Sequence, residues 1–260
     1  VTNTGNVVVN DNVVVKAITN DGSFVANGTT TIETFTNNAA GTIETNDSVT
    51  LGVARDSALI NLGSVTLNGT TSLVGTVSGT GTMVMNDTVT LTGVVLGEQV
   101  VTLSSGAALE IVNGEMNFNA PTTVSTDVWE GSITLTSGAL NYANITSNGL
   151  LFAENGTLTI QSGVLNIAST SYIKDTVSLI INETGTLSIN GGEVDFNTGD
   201  TWTGKVTLDS GVMTYNNLAS NGKFEATGGT LNLNTGVLTL AKDTTVSRND
   251  FINTSVVATI

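Results

Sequence analysis

The chain contains no histidine and no cysteine. Without histidine, Ser-His-Asp catalysis, Cys-His catalysis and imidazole-bound zinc are excluded, and without cysteine there are no disulfides or thiolate metal sites. Only 5% of the residues are aromatic, and a single proline occurs in 260 residues. Because proline cannot donate a hydrogen bond to a β-ladder, its scarcity is typical of a fold whose strands are paired on both sides.

Positive charge is also scarce, with 7 Lys plus Arg against 22 Asp plus Glu and a net charge of -15. Such a charge repels nucleic acid and anionic membranes, so we expect neither as a partner. No apolar run reaches the roughly 18 residues of a membrane-spanning helix, so we expect no membrane insertion by this segment. The chain begins at Val1 without methionine, and we interpret it as a processed product or a fragment of a longer chain.

The most informative feature that is present is a repeated motif, Φ-x-Φ-x-x-G-x-Φ-x-Φ, where Φ is any apolar residue. Its six copies are Leu109–Phe118, Ile133–Tyr142, Leu158–Ile167, Leu187–Phe196, Val206–Tyr215 and Leu231–Leu240. The intervals between the first positions of successive copies are 24, 25, 29, 19 and 25. A short unit that cannot bury its own apolar side chains, and that recurs at such a period, predicts a stack of units in a solenoid.

Each copy reads as two short strands whose apolar side chains point the same way, separated by a corner that contains glycine. The corner glycines are Gly114, Gly138, Gly163, Gly192, Gly211 and Gly236. We therefore predict an all-β fold, a parallel β-helix (β-solenoid) with coils of about 24 residues, the mean period of the motif. We expect one elongated domain over residues 1–260, with irregular coils in 1–108 and regular coils in 109–260.

A longer repeat supports this organisation. The segment around Trp129 and Tyr142 recurs around Trp202 and Tyr215, and both pairs differ by 73 in residue number (202 − 129 and 215 − 142). We interpret this long repeat as three coils. The alternative is an antiparallel sandwich in which each motif is a hairpin. The sandwich is less favoured, because it has no reason to keep one period and one corner residue.

The paired aromatic residues are candidates for binding. Tyr142 and Tyr215 occupy the last apolar position of their motif and are expected in the core. Trp129 and Trp202 lie outside the motif, and we consider them as residues that stack on a sugar ring of a ligand.

Carboxylates are the remaining candidates for catalysis, and they are scattered, with no Asp-Asp pair and no Asp-x-Asp. Glu110, Glu115, Glu193 and Asp195 are expected at outward or corner positions of the repeat. We therefore assign no catalytic residue and no cofactor, and we expect a protein that is not an enzyme. The alternative is a carbohydrate-binding or polysaccharide-cleaving parallel β-helix, in which acids would cluster beside Trp129 or Trp202.

Asn-Asp pairs offer oxygen atoms of the kind that calcium prefers. They occur at Asn10-Asp11, Asn20-Asp21, Asn46-Asp47, Asn86-Asp87 and Asn249-Asp250. The same residues form tight turns without any metal, because their side chains bond to the nearby backbone. No residue is assigned as a metal ligand, and calcium stays open as the one ion that these turns suggest.

Three Gly-Thr-Leu-x-Ile/Leu strands, Gly156–Ile160, Gly185–Ile189 and Gly229–Leu233, occur with Ser-Asn-Gly turns in a chain rich in threonine and asparagine. In these features the chain resembles the passenger regions of bacterial autotransporters and filamentous-haemagglutinin-type adhesins. The resemblance implies a right-handed parallel β-helix on the outside of a Gram-negative cell that mediates adhesion, aggregation or display.

The expected function is therefore that of a non-enzymatic, extracellular structural or adhesive protein of the bacterial cell surface. Its expected partners are other copies of itself, or glycans or proteins on a host or neighbouring cell. Three apolar segments, Val7–Val9, Val13–Val15 and Val256–Ile260, are candidates for end-to-end association. The alternative for these segments is that they are buried strands of the first and last coils.

Overall fold

The structure is a computed structural model that describes residues 1–54, 57–96, 100–118, 127–143, 145, 148–216, 218, 221–235, 238 and 250–251. The regular elements in these ranges are β-strands, and no helix there is long and apolar enough to cross a membrane. The chain divides into two compact units, Val1–Ile133 and Thr134–Ile260. The division falls within the strand Ser132–Leu135.

The first unit is built from three parallel sheets. The first sheet contains Thr2–Asn3, Ile18–Asn20, Phe35–Asn37, Ala58–Asn61 and Thr76–Ser78. The second contains Asn6–Val9, Ser23–Ala26, Thr42–Thr45, Ser64–Leu67, Thr82–Met85, Val100–Leu103 and Val128–Trp129. The third contains Val13–Val15, Thr30–Ile32, Val49–Leu51, Thr71–Val74, Val89–Thr92 and Ala108–Val112. A further parallel pair is formed by Val95–Leu96 and Gly114–Phe118.

From Thr2 to Thr92, successive strands of the first unit visit the three sheets in turn, so each coil there adds one strand to each sheet. Partners in adjacent coils are as close in sequence as Thr2 and Thr19, and as far apart as Thr102 and Val128. The pairing is parallel in every described case, which confirms the predicted β-solenoid and rules out the antiparallel sandwich. The coils average about 19 residues and are somewhat shorter than we predicted.

The second unit also stacks its strands in three parallel sheets, but several of its strands turn corners and belong to more than one sheet. These long strands are Gly156–Ala168, Val177–Asp195 and Lys205–Asn216. The first sheet contains Gly138–Tyr142, residues 156–160 and 177–181, and Thr201–Trp202. The second contains residues 162–168, 184–189 and 205–208, and Lys223–Ala226. The third contains Leu150–Ala153, Tyr172–Ile173, residues 193–195 and 212–216, Thr230–Thr235 and Asp250–Phe251.

The sequence motif corresponds to a strand, a corner and a second strand, and not to a whole coil. Leu158, in the first strand of its motif, pairs with Leu140 in the second strand of the preceding motif. Leu158 lies in the first sheet of the second unit. Its counterpart in the long repeat, Leu231, lies in the third sheet of the same unit. The long repeat therefore does not span a whole number of coils, which corrects our interpretation of it as three coils.

Most predicted corner glycines lie at bends between sheets. Positive φ angles of 96°, 77° and 92° occur at Gly138, Gly163 and Gly211, a conformation that glycine adopts without the clash a side chain would cause. At the corner of the motif Leu187–Phe196, the residue with a positive φ is Gly191 and not Gly192. A Cβ on Gly192 would overlap the backbone of the neighbouring coil. At the Gly114 corner the residue before the glycine, Asn113, has a φ of 55°. Gly236 lies outside the described residues.

The interior of the first unit contains a stack of asparagines, which we call the internal ladder: Asn3, Asn20, Asn37 and Asn61. Along this stack each amide nitrogen donates to the amide oxygen of the next coil, at 2.8, 2.8 and 3.0 Å. The same nitrogens also donate to backbone carbonyls, so these buried polar groups are hydrogen-bonded. The internal ladder thus holds four coils in register.

Candidate functional site

Both tryptophans that we considered as ligand-stacking residues lie in the interior. Trp129 and Trp202 are 0% and 1% exposed. Trp129 stacks on Phe118 at 5.3 Å between ring centroids, and Trp202 stacks on Phe196 at 5.4 Å. Each indole nitrogen donates to a backbone carbonyl two residues further on, at 3.1 Å. This placement argues against ligand stacking, because the ring faces are covered by the protein itself.

The two tyrosines of the motif are core residues, as expected. Tyr142 and Tyr215 are both 0% exposed. The Tyr142 hydroxyl donates to the carbonyl of Val164 at 2.7 Å, and burial raises the pKa of Tyr142 to about 12. A neutral, hydrogen-bonded phenol of this kind contributes to packing.

Two buried carboxylates occur two residues before the tryptophans. Asp127 accepts a hydrogen bond from the backbone nitrogen of Val101 at 2.8 Å. Asp200 accepts one from Leu179 at 2.8 Å and another from Asn197 at 2.9 Å. Burial raises the pKa of Asp200 to about 6, because the carboxylate is removed from water. Both acids face backbone groups, so they connect neighbouring coils and do not face a ligand outside.

The other acids that we considered lie at the surface. Glu193 is exposed, while Glu110, Glu115 and Asp195 are half-buried at outward positions, as expected. Within the described parts of the chain, no three acidic residues lie close enough together to hold a metal ion.

The Asn-Asp turns of the first unit contribute to a second stack, which we call the external ladder: Asn10, Asn27, Asn46, Asn68, Asn86 and Ser104. From Asn27 onwards, each side chain donates to the amide oxygen of the preceding coil, at 2.6 to 2.9 Å. The aspartates Asp47 and Asp87 accept from the next backbone nitrogen, both at 2.7 Å. Contacts within the protein thus account for these turns, whereas Asn249 lies outside the described residues.

Two aromatic side chains that the sequence analysis missed lie on the outer face of the third sheet of the second unit. Phe152 and Tyr172 are direct partners on adjacent strands, with ring centroids 5.5 Å apart and tilted by 54°. We call this pair the aromatic platform. It lies between motif copies, where the repeat gives no guide. The sequence offered one signal for this pair, the alternation of inward and outward side chains along a strand. The residues on either side of Phe152 and of Tyr172 are buried and point inward, so the two rings point outward.

A charged pair holds Tyr172 in place. The Tyr172 hydroxyl donates to Glu154 Oε1 at 2.6 Å, and Lys174 Nζ lies 3.2 Å from the same oxygen. Lys174 Nζ is also 5.2 Å from the centroid of the Tyr172 ring. The hydrogen bond from Tyr172, followed by the contact with Lys174, lowers the pKa of Glu154. The bond to Glu154 in turn raises the pKa of Tyr172, so the carboxylate is ionised and the phenol is neutral at pH 7.

A shallow depression opens beside Tyr172, which we call the Tyr172 depression. It has a volume of about 220 Å³, and its lining includes Thr170, Gly191, Glu193 and Val212. Because Gly191 has no side chain, the outer face is recessed at this point. Thr170 has a φ of 78°, an unfavourable conformation for a β-branched residue. The depression therefore combines an aromatic ring, an aliphatic side chain, a carboxylate and a strained backbone position.

No family model, curated protein or solved structure gives a significant match to this chain.

Proposed function

We propose that this chain is a non-enzymatic structural or adhesive protein of the bacterial cell surface, located outside the cell. Its outward faces make extended contact with other copies of itself, or with glycans or proteins on a neighbouring cell. The observation that carries the proposal is the external ladder, which repeats an asparagine amide on five successive coils from Asn10 to Asn86 and ends in the hydroxyl of Ser104. A surface that repeats its chemistry from coil to coil can bind a partner at several points, and weak contacts then add up to avidity.

The filled interior also supports a role for the outer surface. Large side chains such as Trp202 and Phe224 pack against each other inside the second unit, at 6.2 Å between ring centroids. In the first unit the side-chain amides of the internal ladder donate hydrogen bonds to one another between neighbouring coils. Because side chains of the protein itself fill the interior of the coils, we expect a partner to bind to the outer faces.

A second candidate function, carbohydrate binding, is favoured by the aromatic platform, because surface aromatic rings stack on sugar rings. Polysaccharide cleavage gains no comparable support. The carboxylate nearest to the platform, Glu154, bonds to Tyr172 and Lys174 and is therefore held as a structural group.

The proposal is tested by two assays on one preparation of the purified chain. In the first, fluorescent beads that carry the chain are incubated with a panel of bacterial and mammalian cells, with an unrelated protein of similar net charge on control beads. In the second, light scattering and negative-stain imaging follow self-assembly, with calcium and again with a chelator. We expect saturable binding to cells, or ordered assemblies, or both. A monodisperse chain that binds to no cell type above the control would refute the proposal.

A further inference from the structure

We propose that the Tyr172 depression binds a neutral pyranose ring of a glycan, which stacks on Tyr172. This inference rests on the proposed adhesive function and supplies the chemical class of its ligand.

The size and position of the depression suit a small ring at an open surface. Its volume of about 220 Å³ is smaller than that of most pockets for drug-sized ligands, which measure about 300–1,000 Å³. It is recessed at Gly191 and Gly192 and bounded by taller side chains at Tyr172 and Val212. A single sugar ring of an extended chain can enter such a recess while its neighbouring rings continue along the outer face.

The apolar contact that a sugar needs is already in place. A pyranose has a face of C–H groups that packs on aromatic carbon, as apolar groups do elsewhere. Tyr172 is held by Phe152 beside it, by Glu154 at its hydroxyl and by Lys174 near its ring. Because the ring is ordered before a ligand arrives, little conformational entropy is lost on binding. Val212, two strands from Tyr172, adds a second apolar side chain to the lining.

The polar groups of the depression match hydroxyl donors. Glu193 is exposed, and it makes no ion pair with any residue in the described part of the chain. A carboxylate accepts strong hydrogen bonds from hydroxyl groups. It also repels carboxylate and sulfate groups, so we expect neutral sugars to be preferred over acidic ones.

A cationic peptide is the competing occupant, because an aromatic ring and a carboxylate also attract Lys and Arg. Here Lys174 already lies 5.2 Å from the Tyr172 ring centroid and neutralises Glu154. A second cation near this ring would be repelled by Lys174. The geometry therefore favours a neutral ligand over a cation.

The backbone at Thr170 provides an independent indication of a site. A φ of 78° is unfavourable for a β-branched residue, and such strain is concentrated at functional positions. The strained residue lines the same depression as Tyr172 and Glu193. Strain, aromatic ring and carboxylate thus coincide in one place.

The test is a saccharide titration of the full chain, followed by saturation-transfer NMR. The probes are methyl glycosides of glucose, galactose, mannose and N-acetylglucosamine, and tetrasaccharides of the same sugars. We expect at least one neutral sugar to bind with a Kd of about 1 mM, typical of a small ligand with few contacts. Tyr172→Ala should weaken binding at least about tenfold, whereas Tyr172→Phe, which keeps the ring, should change the Kd by less than about threefold.

Matched variants separate binding from folding. Thr159→Ala, at an outward position of another sheet of the same unit, should leave the Kd unchanged. If Tyr172→Ala alters the circular dichroism spectrum, Val212→Gln changes another side chain of the lining without touching the platform, and it should also weaken binding. Glu193→Gln should weaken binding about two- to fivefold, the effect of a charged hydrogen bond replaced by a neutral one.

Three results would overturn the inference. One is the absence of saturation transfer to every neutral sugar at 20-fold the expected Kd, or about 20 mM. Another is sugar binding that is unchanged in both Tyr172→Ala and Val212→Gln. The third is binding of oligolysine, but of no sugar, that is lost in Glu193→Gln. Failure of the adhesive function itself is seen in the bead assay, whatever the titration shows.

Discussion

The internal ladder should be one of the most sensitive parts of the first unit, and Asn37→Ala is the substitution that tests this. The Asn37 side chain is 0% exposed. It accepts a hydrogen bond from Asn20 at 2.8 Å, and it donates to Asn61 Oδ1 at 3.0 Å and to the carbonyl of Ser64 at 3.1 Å. Alanine removes all three bonds, so the amides of Asn20 and Asn61 and the carbonyl of Ser64 lose Asn37 as a hydrogen-bond partner.

The expected cost follows from these contacts. Each hydrogen bond contributes about 1 kcal/mol net, and a buried polar group left without its partner costs about 1–3 kcal/mol. We therefore expect Asn37→Ala to lower the free energy of unfolding by about 3–5 kcal/mol. The matched control is Asn46→Ala in the external ladder, which also removes ladder bonds, to Asn27 and from Asn68, at 2.9 and 2.8 Å. Because Asn46 is exposed, water replaces these bonds, and the cost should be below about 1 kcal/mol.

The assay is urea unfolding followed by circular dichroism, with both variants measured beside the unsubstituted chain. Asn37→Asp adds a further check, because an ionised carboxylate in this position has no hydrogen to donate to Asn61. Protonation restores a donor, so this variant should be most destabilised at neutral pH and should recover part of its stability near pH 4. Equal costs for Asn37→Ala and Asn46→Ala would show that burial of the internal ladder has no energetic effect.

Three further predictions concern single positions in the interior. Because burial raises the pKa of Asp200 from its ordinary 3.8 to about 6, the folded state binds a proton more tightly than the unfolded state. Stability should therefore fall by about 2 kcal/mol as pH rises from 4 to 7. Asp200→Asn should remove this fall, and melting temperatures across that range measure it; parallel profiles would contradict the assignment. Trp202→Ala should cost about 3–5 kcal/mol and Trp202→Phe clearly less, since the indole is 1% exposed, and urea unfolding checks the ranking. Gly192→Ala should destabilise the second unit by more than about 1 kcal/mol, because its Cβ would lie 2.6 Å from two backbone oxygens, whereas Gly5→Ala meets nothing within 4 Å and should be tolerated. Thermal unfolding of Gly192→Ala and Gly5→Ala measures the difference in stability. Equal melting temperatures for the two variants would contradict the close packing at Gly192.

The sequence predicted the parallel β-solenoid because local spacing determines which side chains of a strand point inward. The predicted coil length of about 24 residues was close to the observed value of about 19. The sequence did not predict which residues pair between coils, because this pairing depends on segments of variable length that join the strands. Leu158 illustrates this point. Its motif aligns it with Leu187, but in the structure it pairs with Leu140 and Leu179. The internal ladder was missed for a similar reason, since Asn20, Asn37 and Asn61 come from coils of unequal length.

The candidate site was less predictable than the fold. Trp129 and Trp202 were the most conspicuous aromatic residues, but each follows a buried aspartate by two residues and therefore points inward as well. Phe152 and Tyr172 become adjacent only through the pairing of two strands that are 20 positions apart. The depression beside Tyr172 depends on a missing side chain at Gly191, which a pattern of apolar residues does not reveal.

We propose that the chain acts through its outer faces, by adhesion or assembly. Light scattering and bead binding to cells, both on one preparation of the purified chain, test this proposal. We expect ordered assemblies in solution, saturable retention on at least one cell type, or both. A chain that stays monomeric and binds to no cell above the charge-matched control would contradict it.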